Sequence, residues 1–340
     1  MSRVIRFHNT GGPEVLQIDE CPKEPPSPKE VTVQIKAFGV NRAECMLRSG
    51  AYIFNPVLPC RIGAEGTGTI EATGRDVQAL KIGDTVAIIP FAIADANGYW
   101  QGVPGKHGCY GETTTVPASA VIRVPDNLSP ITNAASWHQY LTAWGGLFYH
   151  AAVTPEDTVL ITAASSSTGL AGIQLCKEIG AKVIAATRSE EKVDRLVAVG
   201  ADHVVVTNSQ DLGAEILKIT GDRGATVIYD PVSGAIAGTL IRAASPEARI
   251  ICYGNLDPAN ISFPARVALT KRVNIKFYSW GDIARRSELL EKAHSYVYHC
   301  LKENTFQPII DTVFHGLESS VDAHRRMESN QQFGKIVVEL

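Results

Sequence analysis

The stretch VLITAASSSTGLAGIQLCKEIGAKVIAATRSEEK, residues 159–192, decides the fold. Val159-Leu160-Ile161 is an apolar, aliphatic run of the kind that forms a buried parallel strand. Small residues follow from Ala163 to Gly169. Leu170, Ile173, Leu175, Cys176 and Ile179 then recur with helical spacing, and Gly180 suits a helix C-cap. Lys182 to Ala186 reads as a second strand. Strand, small-residue turn, helix and strand make a βαβ unit, whose turn is where a dinucleotide pyrophosphate meets a helix N-terminus. The usual G-x-G-x-x-G of such a turn is replaced by Ala163, Ser166 and Gly169, with Ser165 to Thr168 offering hydroxyls to a phosphate.

The end of the second strand selects the cofactor. An acidic residue there accepts the ribose 2′-hydroxyl of NAD, whereas a cation accommodates a 2′-phosphate. This chain has Thr187-Arg188-Ser189, with Lys192 one turn later, which favours NADPH. Ser189 also suits a helix N-cap, with Glu190 and Glu191 in the first turn, and the two roles are compatible.

Around this core the composition is that of an ordinary globular chain. Its 340 residues suggest two domains. With 45% hydrophobic and 20% charged residues and a net charge of −3, neither nucleic acid nor an anionic membrane is expected as a partner. No apolar run approaches the ~20 residues of a membrane span. The opening MSRVIRFHNTGG lacks the apolar core of a secretory signal. Seven scattered cysteines without a CxxC pair point to free thiols and a cytoplasmic setting, and they argue against a structural zinc site.

Residues 1–127 read as a β-rich domain. Val31 to Lys36 alternates as a half-buried strand, Gly68 to Gly74 and Thr85 to Ile89 read as further strands, and prolines and glycines supply the turns. Ala92 to Gly111 is expected to be a long surface loop. Residues 128–280 change character. Ser129 to Leu147 suggests a packed helix pair, and strands at 159–161, 182–186, 203–206, 227–230, 249–253 and 273–279 alternate with helices at 190–199 and 212–220. That rhythm implies a doubly wound parallel sheet. Asp282 to Lys302 reads as one long amphipathic helix and Ile336 to Leu340 as a closing strand, so residues 281–340 are expected to return to the first domain.

The sequence resembles the medium-chain dehydrogenase/reductase superfamily, specifically its zinc-independent quinone oxidoreductase branch, which includes the zeta-crystallins. The resemblance runs through Gly12-Pro-Glu-Val-Leu, Gly39-Val-Asn, Arg48-Ser-Gly, Gly63-Ala-Glu-Gly-Thr-Gly, Gly83-Asp and Tyr110-Gly-Glu. It continues through Leu141-Thr-Ala, the turn at 163–169, Tyr253-Gly-Asn and Gly334-Lys-Ile-Val-Val. It implies an α/β fold: a Rossmann doubly wound parallel sheet plus a GroES-like β-rich catalytic domain, with the nicotinamide held between them. In zinc-dependent members a Cys matches Asn41 and a His matches Ala64. Here only His138 remains near a third ligand position, too few for catalytic zinc, which takes three protein ligands. No metal is expected.

Without a Lewis acid, the chemistry left is hydride delivery to an acceptor that is already electrophilic, a quinone or the β-carbon of an enone. The resemblance implies catalytic roles for Asn41, as a positioning group or oxyanion donor, and for Tyr52, as a hydrogen-bond donor or substrate wall. Met46 stands where some members have a second tyrosine, which makes the pocket more apolar. For the cofactor it implies Asn41 and Thr142 at the nicotinamide end and Ser166, Ser167 and Thr168 at the pyrophosphate. Arg188, Ser189, Lys192 and Thr207 are implied near the 2′-phosphate. Tyr253, Gly254 and Asn255 lie at the sheet's carboxyl edge, and Ser279, Asn330 and Lys335 border the cofactor. A homodimer through the strand near Val273–Ser279 is implied as well. Two alternatives stay open: an enoyl or alkenal double-bond reductase, and a non-catalytic NADPH- or RNA-binding crystallin-like protein.

Overall fold

Apolar runs sort this chain into two kinds of sheet. A computed structural model describes residues 1–90, 93–94, 100–101 and 107–340, which divide into two units. Met1–His138 with Pro308–Leu340 form the first, and Gln139–Gln307 form the second. The expected boundaries at 127/128 and 280/281 therefore differ from this division. Residues 128–138 group with the first unit because the helix Pro130–Ala134 packs on Glu30–Val40 and Gly66–Thr73. Residues 281–307 group with the second because Ser287–Lys302 packs on Gly281–Ala284 and Trp144–His150.

The first unit is built around the strand Glu30–Val40, which is longer than the alternation at 31–36 suggested. In a seven-stranded sheet it pairs antiparallel with Gly66–Thr73 on one side and Lys335–Glu339 on the other, and Ile310–His315 lies beyond the latter. Val33, Ile35, Phe38, Ile70, Val86 and Val338 fill its core. Register sets Val337 opposite Gly39, a residue 298 positions earlier. The expected surface loop at Ala92–Gly111 lies largely outside the described residues, but its end, His107 to Gly111, is buried. Tyr110 is the reason: its ring stacks on Phe38 at 4.1 Å, inside the core.

The second unit carries six parallel strands: His203–Val206, Lys182–Thr187, Thr158–Ile161, Ala225–Asp230, Ala244–Cys252 and Asn274–Phe277 in spatial order. Numbered along the chain, that is the 3-2-1-4-5-6 order of a dinucleotide-binding sheet. Leu160, Ile184, Ile228 and Ile250 form its interior, buried on both faces as parallel strands are. The fold is thus a Rossmann-type parallel sheet plus a GroES-like β-rich domain. Two expectations need correction. The expected helix 282–302 breaks at Arg285–Arg286 into Gly281–Ala284 and Ser287–Lys302. Trp144–His150 is a π-helix, in which Gly145 and Gly146 leave room for Tyr278 and Tyr229. Among the described residues no helix is long and apolar enough to cross a membrane.

Candidate functional site

Two groups of residues carry chemistry, one in each unit. In the first, Asn41 ends the strand Glu30–Val40 and occupies the N-cap of the helix Arg42–Ser49 in extended conformation. Glu44, three residues on, accepts from the Asn41 backbone N–H at 2.8 Å, the reciprocal half of a capping box. The Asn41 side chain faces the Glu44 backbone N–H in the other half of that box. Its Oδ1 accepts from Lys335 Nζ at 2.6 Å, while Nδ2 lies 3.3 Å from Glu44 Oε1 and 3.3 Å from Glu65 Oε1. Lys335 Nζ also makes a short ion pair with Glu65. Glu65 Oε2 in turn accepts from the His138 backbone N–H at 2.9 Å.

The ammonium is fully enclosed, with Lys335 at 0%, Glu65 at 1% and Asn41 at 7% exposure. An unpaired charge so buried is very costly, so the pair and its hydrogen bonds hold one another in place. Burial pushes the Glu44 carboxyl up; N–H donors from Ala64 and Asn41, the Tyr110 hydroxyl and the charge on Lys335 pull it back. Tyr110 gives its hydroxyl to Glu44 at 2.7 Å and stands 3.2 Å from His324, whose other ring nitrogen faces Cys45 Sγ at 3.4 Å. Tyr52 sits edge-on to Phe54 at 4.9 Å, and burial, with the charge on Glu44 adding, pushes its hydroxyl up to about 12. At neutral pH it is a donor.

At this corner a lysine ammonium is bonded to Asn41 and Glu65, a cation with which a metal ion would have to compete. The described residues include no group of three or more His, Cys, Asp or Glu that could hold a metal.

The buried imidazoles set an acid limit on stability. Burial lowers His138 to about 4 and His324 to about 3, against 6.5 for an unfolded histidine. Between those limits the unfolded chain binds more protons than the folded one, so stability is full above pH 6.5 and drains as pH falls. The melting temperature is expected to drop between pH 7 and pH 5, and His324→Gln to flatten that drop. Equal melting temperatures at the two pH values would contradict the burial of neutral imidazoles.

In the second unit, the turn after Thr158–Ile161 places Ser166 as N-cap of the helix Ser167–Ile179, its Oγ accepting from Gly169 N–H at 3.1 Å. Ala163 takes φ +46°, a conformation glycine adopts more readily. A Cβ on Gly169 would stand 2.7 Å from Ala164 O and 2.8 Å from Ala163 O, so here the glycine is demanded by close packing. Ser167 and Thr168 open the helix, whose first N–H groups lack intrahelical partners.

Arg188 is exposed beyond the end of Lys182–Thr187 and makes no hydrogen bond or ion pair among the described residues. Ser189 N–H donates to Thr187 Oγ1 at 3.4 Å, and Lys192 Nζ reaches back to Ser165 Oγ at 3.3 Å. Thr207 commits its hydroxyl to the Thr187 carbonyl at 3.2 Å. At the carboxyl edge of Ala244–Cys252, Tyr253 stacks on Tyr229 at 4.0 Å and the Gly254 carbonyl accepts from Ser233 Oγ at 2.8 Å. Asn255 is exposed on the same turn. These features fit a dinucleotide.

The remaining expected residues fall as follows. Thr142, in the second unit, is buried on the helix Trp137–Ala143. Ser279 N–H meets Asp282 Oδ2 at 3.4 Å, at the start of a helix. Asn330, at φ +59°, accepts from Arg42 at 2.7 Å. Lys335, expected beside the cofactor, is buried inside the first unit on Asn41 and Glu65. Glu65, Tyr110 and His324 belong to the cluster without having been singled out. Glu44 was legible in the spacing Asn41-x-x-Glu44, a helix-start signature.

Comparison with known proteins agrees with this architecture. Residues 27–126 match the alcohol dehydrogenase GroES-like domain, and residues 167–295 match the zinc-binding dehydrogenase family. Quinone oxidoreductase-like protein 2 of Bos taurus is 31% identical over 327 residues, covering 96% of this chain and 89% of that protein. A quinone oxidoreductase of Pseudomonas syringae superposes with a TM-score of 0.89 at 26% identity, covering 100% of both chains. An NAD-dependent alcohol dehydrogenase superposes equally well, 0.89, at 29% identity and 99% coverage of each chain. With its GroES-like unit, its six-stranded nucleotide-binding sheet and these relatives, the chain belongs to the NAD(P)H-binding medium-chain dehydrogenase/reductase superfamily of oxidoreductases, in the quinone-oxidoreductase-like branch.

Proposed function

We propose that this protein is a zinc-independent, zeta-crystallin-like oxidoreductase that uses NADPH to reduce a quinone. The carrying observation is the Asn41–Lys335–Glu65 cluster, which puts an amide and an ammonium at a corner where zinc-dependent relatives need metal donors. Such a corner suits an acceptor that needs no Lewis acid to become electrophilic. Bound NADPH supplies the hydride.

The chain's own residues then bind, orient and protect. The turn at 163–169 takes the pyrophosphate, Arg188 and Lys192 take the 2′-phosphate, and Tyr253 to Asn255 border the nicotinamide half with Thr142. Tyr52, protonated at neutral pH, donates to the acceptor oxygen or walls its pocket. Asn41, whose amide is committed to three charged partners, is a positioning group in this reading.

Steady-state NADPH oxidation with a panel of quinones, enals, enones and simple aldehydes tests the proposal, together with metal analysis of the active protein. Turnover with quinones by metal-free protein is expected. Activity confined to enals and enones would make it a double-bond reductase. Turnover that tracks bound zinc would overturn the reading.

The same proposal includes a homodimer. All four residues of the edge strand Asn274–Phe277 are exposed, with Phe277 at 63%. Beside it, Phe263, Leu269 and Ile275 line an open groove of about 490 Å³. An uncovered apolar sheet edge invites pairing with a second copy. The double substitution Ile275→Asp, Phe277→Asp is expected to convert a dimer to a monomer in size-exclusion chromatography with light scattering. An unchanged mass would place any dimer contact elsewhere.

A further inference from the structure

We propose that Lys335 and Glu65 are positioning residues, a buried ion pair that locks and polarises the Asn41 amide. This rests on the reading of the protein as a reductase whose acceptor develops negative charge on oxygen.

Three observations carry the inference. Asn41 occupies a helix N-cap, where asparagine normally spends its side-chain oxygen on the helix. Here that oxygen also accepts from Lys335, at 2.6 Å, from a strand 294 residues away. A cation on Oδ1 fixes which end of the amide is oxygen, and it draws electron density so that the N–H end becomes the better donor. The Nδ2 contacts to Glu44 and Glu65, both 3.3 Å, are long, so the oxygen is the strongly held end of the amide and the nitrogen the weakly held one. A substrate oxygen can recruit that end by displacing one of these two long contacts, leaving the Lys335 bonds in place.

The second observation is the isolation of the charge. Lys335 is fully enclosed, and its two partners are Glu65 and Asn41. An ammonium meant only for a surface ion pair has no reason to be buried at that cost. The third is the route of the pair into the backbone. Glu65, which directly precedes the strand Gly66–Thr73, has its Oε2 tied to the His138 N–H at 2.9 Å, so a helix backbone fixes the carboxylate that holds the ammonium.

Removing Lys335 alone strands the Glu65 carboxylate in the interior, and that variant is expected to give little folded protein. The test therefore uses the matched pair Lys335→Met with Glu65→Gln, which removes both charges together, with Lys335→Gln, Glu65→Gln as a second version should the first not fold. The paired variant is expected to melt within a few degrees of wild type and to bind NADPH within twofold by fluorescence quenching. Its kcat is expected to fall about tenfold, with the acceptor KM little changed.

A structural readout accompanies the kinetics. The Asn41 side-chain amide signal, assigned by its loss in Asn41→Ala, is expected to be sharp and slow to exchange with solvent in wild type. In the paired variant it is expected to broaden and exchange quickly. A paired variant with wild-type kcat, or with an equally protected Asn41 amide, overturns the inference. Wild-type protein inactive towards every acceptor would instead defeat the functional reading, while the amide exchange would still judge the positioning role.

Discussion

Gly39→Ala is expected to cost about 3 kcal/mol of stability, the upper end of what overpacking a closed interior costs. The residue lies in the strand Glu30–Val40 with no positive φ, so an alanine backbone is tolerated and the effect is purely steric. An added Cβ would stand 2.5 Å from the Ala134 carbonyl oxygen, 2.6 Å from Lys335 Cε and 2.8 Å from Glu65 Oε1. None of the three can swing aside. Ala134 is backbone at the end of a packed helix, and the other two atoms belong to a buried ion pair whose separation is itself very costly. Strand and helix must therefore part, or the pair must break. A drop of about 6–12 °C in the melting temperature corresponds to this loss. Gly83→Ala is the control. Its added Cβ meets nothing within 4 Å, and only its φ of +91° opposes alanine, so about 1 kcal/mol is expected there. Equal melting temperatures for the two variants would mean that the Asn41–Lys335–Glu65 corner is far more yielding than its contacts imply.

That contrast also marks what a sequence can and cannot disclose. The second unit was legible because its central strands are apolar and buried on both faces, and the helices between them repeat with a clear period. The helix Leu212–Thr220 and the strand His203–Val206 fall where their patterns put them. The break at Arg285–Arg286 was not legible, since an amphipathic stripe continues across it. In the first unit, the candidate residues were mostly visible one by one. Asn41, Tyr52 and Lys335 stood out, but their association did not. Glu65 and Lys335 are far apart in the chain and meet only because Lys335–Glu339 pairs antiparallel with Glu30–Val40. Periodicity carries no information about such register. A lysine on a closing strand therefore reads equally well as a solvent-facing residue, and only its enclosure beside Glu65 and Asn41 reveals its place.

Arg188→Ala is expected to lower kcat/KM for NADPH by about 100-fold, because one charge-assisted hydrogen bond to a phosphate is worth up to ~3 kcal/mol. The same change is expected to leave NADH within twofold, since NADH has no phosphate at that position. Arg188 suits the role because it is exposed at the end of the second strand and bound to nothing among the described residues, so meeting a phosphate breaks no existing bond. Lys192 differs. Its Nζ is already 3.3 Å from Ser165 Oγ, which ties it to the pyrophosphate turn. Lys192→Ala is therefore expected to reduce NADPH use by about tenfold while also weakening NADH somewhat, because a point charge near the turn serves both dinucleotides. Placing a carboxylate at the same point, Arg188→Asp, adds an acceptor for the ribose 2′-hydroxyl and repels the phosphate, and it is expected to invert the preference. The inversion is a demanding test because one structural relative at 29% identity is an NAD-dependent alcohol dehydrogenase. If Arg188→Ala left the NADPH/NADH ratio unchanged, the phosphate contact would have to come from elsewhere. With Thr207 committed to the Thr187 carbonyl, the other side chains expected at that phosphate are the hydroxyl of Ser189 and the ammonium of Lys192. A hydroxyl cannot supply a charge, so the unchanged ratio would then have to collapse in the Lys192 variant.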